Sequence, residues 1–157
     1  MITSKNRAAA AAIAVTAAAL LGPAGAALTA APAVAAPSAY LAAAPSAGEL
    51  QAKLQLALNR GAARADRAAE LEVGEAGLPI IDQVAAIIDT LPGYQWSIVG
   101  PVGTEGDRTT AQLKTVAPGY PEMPLVELSW RQVDGKWKLS RESLCKIAGF
   151  AGLPCNV

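Results

Sequence analysis

Between residues 46 and 91 the apolar positions recur at helical spacing, and between residues 94 and 139 they alternate one in two, as strands require. Ser46 followed three residues later by Glu49 is a capping-box pattern, so a helix is predicted to start there. Leu50, Leu54, Ala57 and Leu58 share its buried face, and Asn59, Arg60 and Gly61 stop it. Residues 62–71 have a helical composition with a thin apolar pattern, which predicts a short second helix whose Arg64, Asp66, Arg67, Glu70 and Glu72 form a charged surface. Pro79 suits a first helical position. Ile80, Ile81, Val84, Ile87, Ile88 and Leu91 follow it as the clearest apolar stripe in the chain, ended by Pro92-Gly93.

The period then changes. Tyr94, Trp96 and Ile98 alternate with Gln95, Ser97 and Val99 in a first strand, and Gly103 to Asp107 makes a turn. A second strand covers Thr109 to Thr115. A Pro-rich loop, Pro118 to Pro124, leads to a third in which Val126, Leu128 and Trp130 face one way and Glu127, Ser129 and Arg131 the other. Asp134-Gly135 fits a two-residue type I′ hairpin, and counting outward from it pairs Gln132 with Trp137 and Trp130 with Leu139. Ser140 caps a final short helix carrying Leu144, Ile147 and Ala148, with Gly149 as its stop. The predicted fold is α+β, with N-terminal helices on one face of a curved antiparallel sheet of about four strands and a short C-terminal helix.

Composition adds a leader. Lys5 and Arg7 precede the small and apolar run Ala8 to Leu21, and Ala33-Val34-Ala35 offers small residues at the positions that a signal peptidase reads. Residues 1–35 are therefore read as a signal peptide of the general secretory route, 36–47 as a Pro/Ala-rich linker and 48–157 as the domain. An earlier cleavage site, Ala24-Gly25-Ala26, fits the same rule, and an uncleaved membrane anchor is the alternative, weakened by Pro23, Gly25 and Pro32. After cleavage no membrane span is expected. Removing Lys5 and Arg7 leaves eleven basic residues against thirteen acidic ones, a net charge of −2 with no basic block, which argues against nucleic acid as a partner.

The chain contains no histidine, which removes Ser-His-Asp and Cys-His nucleophile systems and most zinc sites. No phosphate-cradling glycine loop or metal-ligand cluster is present, so no cofactor and no metal are expected. Cys145 and Cys155 are the only cysteines, and an even pair in an exported chain is read as a disulfide closing a loop of about ten residues. The alternatives are two free thiols or a redox pair that lacks the Cys-x-x-Cys spacing.

The run Gly135 to Ser143, reading Gly-Lys-Trp-Lys-Leu-Ser-Arg-Glu-Ser, with the strand Leu125 to Val133 before it, resembles the C-terminal part of the mycobacterial low molecular weight secreted antigen family. The resemblance extends over roughly Gly48 to Gly149. It implies a cone-shaped fold of the nuclear transport factor 2-like (cystatin-like) kind, a secreted or cell-envelope location, and no catalytic residues to carry over. The cysteine pair is not part of that resemblance.

Three functions remain in competition. A non-enzymatic binding or interaction module would hold a small apolar ligand between helix and sheet, with Tyr94, Trp96, Trp130 and Trp137 as pocket candidates, or would bind another envelope component. Simple core packing explains the same four aromatics. A small isomerase or dehydratase would use Asp82 or Asp89 as a buried base beside Tyr94, although both acids lie off the apolar stripe and read more simply as a solvated edge. An envelope surface protein with no ligand would have a filled interior.

Overall fold

The computed structural model describes residues 43–157, and the predicted leader and the first part of the linker lie outside the described residues. Four helices and four strands follow in the order α1 (Ala47–Leu58), α2 (Arg64–Ala69), a 3-10 turn (Gly74–Gly77), α3 (Leu78–Asp89), β1 (Gln95–Glu105), β2 (Arg108–Val116), β3 (Val126–Val133), β4 (Lys136–Leu139) and α4 (Arg141–Phe150). The class is α+β, as predicted. The strands form one antiparallel sheet in the order β1-β2-β3-β4.

The capping box opens α1. The Glu49 amide donates to Ser46 Oγ at 3.2 Å and the Ser46 amide donates to Glu49 Oε2 at 2.7 Å, which holds the Glu49 carboxyl below its ordinary pKa. Leu50, Leu54 and Ala57 are buried beneath it. Packing begins before the predicted domain start. Pro45 is buried, and the Ala43 carbonyl accepts the Trp137 indole N–H at 3.0 Å, so the last residues of the expected linker are held against the body.

Cross-strand pairs place Trp96, Ile98, Thr109, Ala111, Leu113, Leu128, Trp130, Trp137 and Leu139 on one sheet face, the face that α1 and α3 cover. The hairpin register is the predicted one, with Gln132 opposite Trp137 and Trp130 opposite Leu139. Positive φ at both Asp134 and Gly135 gives the mirror-image turn that matches strand twist.

Several local expectations are corrected. The second helix is only six residues long, and Arg67 is buried rather than part of a charged surface. Pro79 is the second residue of α3, which ends at Asp89, and Leu91 lies beyond it and is exposed. β1 runs on through Gly103 to Glu105, so the turn is only Gly106-Asp107, and the extra length is absorbed by a bulge between Val99 and Gly103. Ser129, expected on the solvent face, is buried against α4. Helix α4 continues through Gly149 to Phe150. Gly152, at positive φ, then closes a Schellman motif in which the Leu153 amide donates to the Ala148 carbonyl at 2.8 Å and the Gly152 amide donates to that of Gly149 at 3.0 Å.

Candidate functional site

Helix α3 ends one turn before β1 begins, and α4 brings its C-terminal end to the same region. Between them is an apolar cavity of about 110 Å³. Leu54 and Leu58 of α1, Val84, Ile87 and Ile88 of α3, and Leu91 form one side. Tyr94, Trp96 and Leu113 form the sheet side, and Ile147, Phe150 and Ala151 close the end. No charged side chain lines it. Its side-chain polar atoms are the Tyr94 hydroxyl and the Trp96 indole nitrogen, and burial pushes the Tyr94 phenol above its ordinary pKa. Such a space can accept an apolar group. It is somewhat smaller than the roughly 150 Å³ hole that holds a benzene ring.

The four aromatic candidates separate into two pairs. Tyr94 and Trp96 line the cavity. Trp130 is completely buried in the centre of the core, and Trp137 is buried with its indole N–H spent on Ala43, so these two do not line it. The reason is position along the sheet: Trp96 sits near the start of β1, whereas Trp130 and Trp137 belong to the opposite end, near the 134–135 hairpin. The lining residues that the sequence reading did not single out, Phe150 and Ala151, come from a chain end whose position is set only by folding.

Neither candidate acid enters the cavity. Asp82 accepts from the guanidinium of Arg67, and Asp89 pairs with Arg60 at the surface. Among the described residues no group of three or more His, Cys, Asp or Glu could hold a metal ion. A larger depression of about 470 Å³, lined by Gly103, Thr104, Glu105, Arg108, Thr110 and Glu127, is polar and mostly exposed. Cys145 of α4 and Cys155 of the tail form a disulfide with their Cα atoms 5.3 Å apart. The loop that it closes contains Ile147, Phe150 and Ala151, so the bridge holds one wall of the cavity in place.

Residues 43–155 match the family described as the low molecular weight antigen MTB12, C-terminal domain. The chain belongs to this family. No curated protein matches the sequence. The match includes both cysteines and every residue that lines the cavity, so the MTB12-type domain and the compact body are the same unit. Among the described residues no helix of this domain is long and apolar enough to cross a membrane.

Proposed function

We propose that this antigen-type protein is an exported, non-enzymatic binding module whose cavity takes up the apolar group of a small ligand. The observation that carries the reading is a hollow between helix and sheet lined by twelve residues, none of them charged. An enzyme of the isomerase type needs a carboxylate inside such a hollow, and both candidate acids are instead committed to arginines outside it. Trp96 reports on the site directly. Titration with medium-chain fatty acids carrying a terminal bromine is expected to quench Trp96 emission to saturation, and Ile87→Phe, which fills the cavity, is expected to abolish the effect. Unchanged emission in the parent protein would rule the reading out.

Export rests on the leader pattern of residues 1–35 and is supported by the disulfide, which suits an oxidising compartment. The intact mass of protein recovered from culture fluid is expected to correspond to a chain starting at Ala36 and lacking two hydrogens. Protein beginning at Met1 with free thiols would contradict export by the general secretory route.

A further inference from the structure

The cavity beside Trp96 has a closed floor and an open mouth. Leu54, Val84, Leu113 and Ile147 are buried and form the floor, whereas Leu91 and Phe150 are exposed and stand at the mouth. Its volume of about 110 Å³ limits what can enter. A hole of roughly 150 Å³ takes up one benzene ring, so this one, smaller but open at its mouth, has room for a group of about six carbon atoms. Among groups of that size the walls decide. Six aromatic side chains lie among the described residues, and three of them, Tyr94, Trp96 and Phe150, line the cavity. They reach it from two directions: Tyr94, just before β1, and Trp96, within it, from the sheet side, and Phe150 from the last turn of α4.

We propose that the guest is one uncharged aromatic ring, a step that deepens the binding reading above and rests on it. Aromatic rings attract one another edge to face or offset, beyond what burial of their area gives, because the positive edge of one meets the negative face of the next. A ring held among Tyr94, Trp96 and Phe150 gains that attraction. A saturated ring or a branched alkyl group of the same size gains only its burial. Conformational order adds to the preference: a straight chain of six carbons loses rotational freedom on entering, whereas a flat ring has none to lose. Charge sets a further limit. No lining residue carries one, so an ionised substituent on the ring finds no partner inside and has to stay in the water beyond Leu91 and Phe150. The aromatic walls are also fixed in advance. Pairing of β1 with β2 holds the sheet side, and the Cys145–Cys155 bridge with the turn at Gly152 holds the end that carries Phe150, so a small guest enters a site already formed.

The test uses the chain from Ala36 onward, whose core, among the described residues, is closed between residues 47 and 157. Bromobenzene and bromocyclohexane carry the same quencher on six-carbon rings of similar size. Bromobenzene is expected to quench Trp96 emission to saturation at a concentration about three- to tenfold lower than bromocyclohexane requires, the ratio that aromatic pairing supplies. Trp96→Phe should remove the saturable quenching, because Trp130 and Trp137 lie away from the cavity. Phe150→Leu, at an exposed position, keeps an apolar wall and should at least halve the ratio while bromocyclohexane binds as before. Combined with Tyr94→Leu, it should bring the two ligands to within about twofold of each other. If the terminally brominated fatty acid quenches Trp96 but bromobenzene does no better than bromocyclohexane, the aromatic assignment is wrong and the binding module stands; if none of the three quenches, both fail. A preference for bromobenzene that is unchanged by loss of the Tyr94 and Phe150 rings would also overturn the proposal, since those walls would not be its source.

Discussion

Arg67 carries a charge into the interior and is held there from two sides. It is 5 % exposed; its Nε donates to the Ala57 carbonyl at 3.0 Å and its guanidinium meets Asp82. The bond to Ala57 ties α2 to the last turn of α1, and the Asp82 contact ties both to α3. The two partners are not equivalent, because the Asp82 side chain remains 38 % exposed and the cost of burial falls on the arginine. Asp82→Ala strands that buried cation and is expected to cost about 2 kcal/mol. Asp89→Ala, which removes an ion pair from the surface, is expected to cost less than about 1 kcal/mol. Urea unfolding of the two variants checks the contrast, and equal losses would show that burial of Arg67 does not matter. Composition alone places Arg67 with its charged neighbours, because nothing local to residues 62–71 indicates that α1 and α3 close over it.

At the scale of elements, the sheet has two edges; the β4 edge is covered, whereas β1 is mostly exposed and is tied to α1 at one point. β4 is four residues long against eight in β3, so β3 projects beyond its neighbour. Helix α4 takes the vacant place. The Ser129 amide donates to Ser143 Oγ at 2.7 Å, and the Ser140 amide donates to the Ser129 carbonyl at 3.0 Å. Outside β4, the Glu72 amide donates to the Leu139 carbonyl at 2.9 Å and the Leu139 amide to that of Glu70 at 2.8 Å, adding a short bridge to that edge. On β1, the Ile98 amide donates to Gln51 Oε1 of α1 at 3.2 Å. Ser143 thus does the work of a missing strand residue. Ser143→Ala leaves a buried amide unpaired and should cost about 1–3 kcal/mol. In hydrogen exchange the Ser129 amide should lose protection well before the neighbouring β3 amides. Unchanged protection at Ser129 would mean that another acceptor replaces the hydroxyl.

Over the whole molecule, the feature with the longest reach is the link between the tail and the cavity. The Cys145–Cys155 bridge fixes residues 146–154 as a loop, and the Schellman turn at Gly152 directs that loop back along α4. Closing a loop of this length contributes about 3 kcal/mol or less by restricting the unfolded chain. Reduction, or Cys155→Ser, is therefore expected to lower the thermal midpoint. It is also expected to weaken binding of brominated fatty acid, because Ile147, Phe150 and Ala151 lose their anchor. If affinity survives reduction while stability falls, the bridge serves stability alone and has no part in shaping the cavity.

By itself the sequence determined what depends on neighbours along the chain. The Ser46–Glu49 cap, the stripe of α3 and the Asp134-Gly135 turn were all legible because their causes lie within a few residues, and that turn fixed the pairing of β3 with β4. Pairing the cysteines needed only an even count and the expectation of export. Tertiary structure decided which aromatics meet. Trp96 and Trp130 share a face by alternation, but distance along the strands puts one at the cavity and the other in the closed core. It also decided that Arg67 goes inside, that Leu91 falls beyond α3 at the exposed side of the cavity, and that Phe150 closes a wall begun by α3. Those outcomes follow from how helices of finite length end over a sheet, a matter of distances between segments that no local pattern of apolar residues encodes.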